Sequence, residues 1–154
     1  MPGAELGALC PVMLRLLAVL LLACTAVRAA GDGFDRVAVP AMKTSIYVGS
    51  VTLTTGEFRR DGDRFSATYE AKVFPWFFWS ETGSITITVV AADLARLARG
   101  ETVEFTGDAE NHKRKPRKVT GRAQPADAQS GKIKVRIHVD DVELIFNGPY
   151  RLGR

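Results

Sequence analysis

The sequence predicts an all-β domain: a mainly antiparallel meander of about eight strands, closed as a small barrel or folded as a sandwich, with one short α-helix. Three observations carry this expectation. After residue 31 apolar and polar residues alternate with period two along most of the chain, tight-turn residues punctuate the alternating runs, and one stretch near residues 93–100 changes to helical spacing. Strands that follow one another through short turns pair with their neighbours, which is the pattern of a meander.

Residues 31–42 read as an extended lead-in. Ile46 and Val48 then alternate with Ser45 and Tyr47, and Val51 and Leu53 continue on the other parity, so a bulge is expected near Gly49. Runs 57–60 and 64–73 flank Asp61-Gly62-Asp63, whose Asp-Gly step favours a tight hairpin. Phe65, Ala67, Tyr69, Ala71 and Val73 share one face, leaving Ser66, Thr68, Glu70 and Lys72 on a wet one. Ile85, Ile87 and Val89 repeat the alternation. Asp93 is placed to cap a helix of about two turns, with Leu94 and Leu97 facing the core and Gly100 as its left-handed stop. Strands at 102–110 and 119–125 are joined by a basic turn, 125–131 is a surface loop, and 132–139 pairs with 142–146 through Asp140-Asp141.

Ahead of this domain, residues 1–30 read as an export signal. A cation at Arg15 precedes the apolar run Leu16 to Val27, and small residues stand at Ala26, Ala29 and Ala30. Met13-Leu14-Arg15 begins a more compact leader than Met1 does, so translation is expected to start at Met13. The apolar run falls short of the roughly 20 residues a spanning helix needs, so no transmembrane helix is expected in the mature chain. Two outcomes of processing compete: cleavage near Ala30, giving a free exported domain of residues 31–154, or lipidation of Cys24 within Leu21-Leu22-Ala23-Cys24, a lipobox-like run. The expected address is the periplasm of a bacterial envelope or the medium, with or without a lipid tether.

The leader also holds both cysteines, Cys10 and Cys24. A mature domain without cysteine excludes disulfides, thiol catalysis, iron–sulfur clusters and Cys-ligated zinc. The 124 residues left after removing 30 from 154 suffice for one domain. Losing Arg15, Arg28 and Glu5 lowers the formal net charge from +4 by one unit, so any affinity for anions must come from clustering.

Two segments stand out as contact surfaces. Phe74-Pro75-Trp76-Phe77-Phe78-Trp79 carries five of the thirteen aromatic residues. In an extended strand Trp76 and Phe78 would point away from Phe77 and Trp79, so one set fills the core while the other meets a hydrophobic small ligand, a glycan or a surface. Trp76, Phe78 and Trp79 are the candidate ligand-binding residues. Pro75 marks an edge or a bend. Gly107 and Gly121, expected opposite each other, leave room for the ring of Trp76 or Trp79.

The second segment is His112-Lys113-Arg114-Lys115-Pro116-Arg117-Lys118, five cations without an acid. In an exported protein its partners are anionic lipid headgroups or glycans, and not nucleic acid. Lys134 and Arg136 extend the basic surface along a stripe from Lys132 to His138, for which Glu143, Glu104 and Asp108 are expected cross-strand partners. The anion-binding candidates are thus Lys113, Arg114, Lys115, Arg117, Lys118, Lys134 and Arg136.

Catalysis finds little footing. His112 and His138 lack metal-ligand spacing, no Gly-x-Ser-x-Gly elbow occurs, and nothing pairs Glu70, Glu81, Glu104 or Asp108 as catalytic carboxylates. Neither a cofactor nor a metal is expected. The reading is a non-catalytic exported binding or envelope-associated module; a small extracytoplasmic hydrolase and a self-associating structural protein are the alternatives.

Overall fold

Residues 33–154 are described in a computed structural model, and there the alternating runs become ten antiparallel strands. These are β1 Arg36–Ala38, β2 Met42–Ile46, β3 Gly49–Thr55, β4 Phe58–Asp61, β5 Arg64–Phe74, β6 Glu81–Thr88, β7 Val103–Asn111, β8 Pro116–Pro125, β9 Ser130–Val139 and β10 Val142–Gly153. One helix, α1 Ala91–Ala98, links β6 to β7, and a single 3-10 turn spans Phe77–Trp79. The leader, with Met13 and Cys24, lies outside the described residues.

Ten strands make eight staves. Ile46 pairs Gly49 and Val37 pairs Phe58 in one continuous register, so β1–β2 and β3–β4 are the two arms of a single hairpin, interrupted where Pro40 offers no amide proton. Between Thr55↔Tyr69 and Arg59↔Ser66 one arm advances four residues and the other three, placing a one-residue bulge at Gly56-Glu57. The remaining staves follow in chain order, and β1 closes the ring by pairing β10 through Arg36↔Gly153. The result is a closed eight-stranded antiparallel barrel, the first of the two architectures the alternation allowed.

Its stagger can be followed residue by residue. A row of partners runs Arg36, Arg59, Ser66, Thr86, Asp108, Lys118, His138 and Glu143, arriving ten residues short of the Gly153 that Arg36 itself meets. Such a stagger tilts the strands steeply, by roughly 35–45° in barrels of this kind. Every residue in the row points outward and is polar. Inward positions are apolar except near Arg117 and Asn111, and Phe65, Leu53, Phe146, Val103 and Val119 are almost wholly shielded. Each such side chain contributes roughly 1.5–3 kcal/mol. Around Phe58, Phe105 and Val119 the interior retains only a void of about 30 Å³.

The helix seats Leu94 and Leu97 in the core, as their spacing required, and Gly100 takes a positive φ of 85° that receives the chain at its end. The amides of Gly100 and Glu101 reach the Leu97 and Arg96 carbonyls at 3.0 Å each. Asp93 is not the cap. Val90 occupies that position without a side-chain bond, and Asp93 sits one turn in, 3.1 Å from Arg96 Nη1.

Other local expectations are corrected. The parity switch at Gly49 is not a bulge: Tyr47-Val48 forms a two-residue turn that reverses the chain. The lead-in contains β1, the strand that closes the ring. Gly107 faces Val119 and Gly121 faces Phe105, whose ring fills the space a Cβ at Gly121 would need; neither tryptophan enters it.

The closure is uneven along the axis. Before Pro40 the ring is completed by β1, but beyond that break no ladder joins β2 to β10 among the described residues, although the two run side by side. Met42 packs over Gly148 across this seam.

Candidate functional site

Four connections gather at the end of the barrel where the seam lies: Tyr47-Val48, residues 75–80, residues 112–115 and Asp140-Asp141. The opposite end carries Gly62-Asp63, α1 and residues 126–129. The aromatic and basic segments singled out in the sequence therefore share one rim. Between them opens a cavity of about 630 Å³, with Leu53, Tyr69 and Phe146 deep inside, Val51, Val73, Ile137 and Leu144 on its walls, and Phe78 and Trp79 at its lip.

Why the aromatic segment forms a lip follows from where its strand ends. β5 stops at Phe74, the Phe74–Pro75 peptide is cis, and residues 77–79 turn once before Ser80 starts the return. The Val73 amide donates to Ser80 Oγ at 3.0 Å, tying the loop at its base. An extended strand with alternating faces was expected, but the rings instead cluster on one another. Trp76 lies 5.8 Å from both Phe78 and Trp79, and Phe78 lies 5.3 Å from Trp79. No residue of the turn is buried, and Phe77 and Phe78 remain 64% and 72% exposed.

The cavity wall beneath the basic turn is polar. Arg117 leaves the surface set to which its sequence neighbours assign it. Its side chain is only 7% exposed and points inward, with Nη2 3.2 Å from Glu81 Oε2 and Nη1 3.4 Å from Asp140 Oδ1. Tyr69 donates its hydroxyl proton to Glu81 Oε1 at 2.8 Å, and Asn111 Nδ2 donates to Glu81 Oε2 at 2.9 Å. The other end of Asn111 accepts from the amides of Lys113 and Lys115, both at 2.9 Å, so the wall network also shapes the basic turn. Arg114 adopts a positive φ of 59° at its tip.

Charge states follow from these contacts. Burial alone would raise the Glu81 pKa, but hydrogen bonds from Arg117, Asn111 and Tyr69 outweigh it and hold the carboxyl below its ordinary value. Burial and the bond to Glu81 push the Tyr69 phenol well up. Glu81 is thus an ionised strut with its acceptors occupied, unsuited to donate a proton as a general acid.

The proposed anion-binding residues fall in three places. Lys113, Arg114 and Lys115 stand exposed on the rim; Arg117 is inside; Lys118, Lys134 and Arg136 lie on the outer face of β8 and β9. Lys118 pairs in register with Asp108 and His138. Lys134 and Arg136 border an outer groove with Glu104 and Arg122, and Arg136 Nε and His138 Nε2 lie 3.8 and 3.9 Å from Glu143 Oε1. The expected cross-strand ladder therefore exists at Glu143. Among the carboxylates weighed for hydrolysis, Glu70 sits outside with Lys72 at 3.3 Å and only Glu81 reaches the cavity. No group of three or more His, Cys, Asp or Glu is gathered for a metal ion among the described residues.

Tyr69, Glu81, Asn111 and Asp140 belong to the site; the sequence offered Glu81 only as an unpaired catalytic carboxylate and Tyr69 only as a core-face residue, and named none of the four for binding. Parity is the signal that finds the first three. Counting by twos from Ile85, Ala109 and Phe65 places residues 81, 111 and 69 inside, and the same count from Val119 places Arg117 inside.

Compared with protein-family models, with curated proteins and with solved structures, the chain finds no match.

Proposed function

We propose that the chain is a non-catalytic, exported binding module that takes one small apolar or amphipathic molecule into the open end of its barrel, under the aromatic lip. The observation that carries this reading is the cavity itself. Its volume of about 630 Å³ falls within the roughly 300–1,000 Å³ of small-molecule sites, and its walls are mainly apolar with a few convergent polar groups. Phe78 and Trp79 form the lip with Trp76 packed behind them and not lining the cavity, and Arg117 and Glu81 are the polar groups a ligand would meet. Residues 1–30 direct export in this reading, either with cleavage near Ala30 or with lipidation at Cys24. Absence of label from radioactive palmitate would reject the lipid anchor.

The test uses a neutral apolar fluorophore, N-phenyl-1-naphthylamine. Trp76 and Trp79 are the only tryptophans in the chain, so energy transfer from them is strongest to a probe at the mouth. Saturable transfer with one site is expected. Ala71→Phe, which puts a ring into the cavity, should abolish it while circular dichroism shows the barrel intact. Absence of saturable binding, or equal binding by that variant, would overturn the proposal.

A further inference from the structure

We infer that the rim is a docking surface for an anionic lipid bilayer, on which the barrel stands mouth down. The first observation is segregation. Nine large apolar side chains are exposed among the described residues, and eight of them, Tyr47, Val48, Phe74, Trp76, Phe77, Phe78, Trp79 and Val142, lie at the mouth; Val90 is the exception. Tyr47 is fully exposed, and the rings of the aromatic loop pair with one another. A contiguous apolar patch of this kind marks a surface that meets something other than water.

The second observation is charge. Lys113, Arg114 and Lys115 project from the same rim, and none of them has an acidic partner within 4.0 Å among the described residues. Arg136, on the outer wall, does. Two acids lie in the rim connections, of which Asp140 is engaged by Arg117, and Glu110 stands on the outer face of β7 beside the turn, so the rim keeps an excess of cations. The turn that carries these cations is held by Asn111, so they are displayed at a fixed place beside the rings.

The combination selects the partner. Tryptophan and tyrosine rings favour the headgroup level of a bilayer, and neighbouring lysines and arginines are drawn to anionic headgroups. Phe77, Phe78, Val48 and Val142 offer nothing to the hydroxyls of a glycan but can enter an acyl boundary. The row of polar residues around the outer wall is the reverse of a barrel that crosses lipid, so contact is confined to the rim. This surface borders the cavity and shares Phe78, Trp79, Lys113 and Lys115 with its lining, but the inference does not require a molecule inside the barrel.

Both tryptophans are in the rim and none is in the leader, so their fluorescence reads the rim even in the whole chain. Vesicles of phosphatidylcholine, with and without phosphatidylglycerol, would carry brominated acyl chains. Docking predicts a blue shift and quenching that are strong on the mixed vesicles and weak on phosphatidylcholine alone. The triple variant Lys113→Gln, Arg114→Gln, Lys115→Gln should weaken binding to mixed vesicles by about 100-fold. Phe77→Ser with Phe78→Ser should abolish quenching without altering the circular dichroism spectrum.

The cavity-filling Ala71→Phe variant should still be quenched. Loss of quenching there would mean a lipid drawn into the barrel, overturning docking while leaving the ligand reading in place. Equal quenching on both vesicle types, or none on either, would overturn the inference. So would a blue shift that needs no lipid and rises with protein concentration, which would assign the rim to a second copy of the chain.

Discussion

Arg117 and Glu81 hold each other inside the barrel wall, Nη2 to Oε2 at 3.2 Å, one from the second residue of β8 and the other from the first of β6. The strands that carry them are separated by β7, so the pair spans one stave, and Asn111 on β7 braces it from between. A charge pair in this position depends on both members. Arg117→Met should cost about 3–5 kcal/mol in urea unfolding, because it strands the Glu81 carboxylate, while adding Glu81→Leu should restore most of the loss. A single-variant cost below about 1 kcal/mol would mean that water reaches the pair.

The same pair sets an acid limit. Glu81 is held below its ordinary value in the folded chain, whereas in the unfolded chain it titrates near about 4.3. Its stabilisation is complete above that pH and is lost as pH falls toward the folded value, because the unfolded state takes up the proton first. Glu101, held low by Arg99 and Arg96, and Asp127, held low by Ser130, add to the same acid-side decline. The diagnostic is therefore a difference: Glu81→Gln should be less stable at neutral pH and should lose less on acidification than the unaltered chain.

Rim and core should separate cleanly in stability. Phe65, 1% exposed, should cost about 3–5 kcal/mol when changed to Ala. Phe77→Ser should change unfolding by no more than about 0.5 kcal/mol. A large loss at Phe77 would mean that the aromatic loop serves the fold and would remove the ground for a contact surface.

Tyr150 offers the opposite kind of test. Its hydroxyl is buried and has no hydrogen-bond partner among the described residues, unlike that of Tyr69. Tyr150→Phe should leave stability unchanged or raise it, whereas Tyr69→Phe should lower it by about 1 kcal/mol. Thermal unfolding of the two variants side by side decides the matter.

Much of the fold was legible because period two is a strong signal when one face is wet: β5, β6 and β9 lie where alternation placed them. The errors fell where the pattern changes meaning. At Gly49 a turn mimics a bulge, since both invert parity, and β1 is too short and too close to Pro40 to show a period of its own. The rim was half legible. Composition marked the rings and the cations, but their meeting is a product of closure, which brings the 75–80 and 112–115 connections to one end. Arg117 was hidden by its neighbours: a run of cations reads as surface, and only its even spacing from Val119 reveals an inward side chain.

The seam between β2 and β10 has its own signature in amide exchange. The β2 amides turned toward β3 are bonded and should exchange slowly, whereas those turned toward β10 should exchange orders of magnitude faster. Uniform protection along Met42–Ile46 would mean that the two strands are zipped together in solution.

A ring bonded around only part of its height behaves like a split collar. At the β1 end the girth is fixed by backbone ladders, but at the mouth the Met42–Thr55 hairpin can swing away from β10 without breaking a single backbone hydrogen bond. The calibre of the opening is then set by side chains on either side of the split, with Met42 against Gly148 at its inner end, and not by the number of staves. A molecule wider than the resting aperture could enter for the cost of parting side chains, and the collar would close behind it.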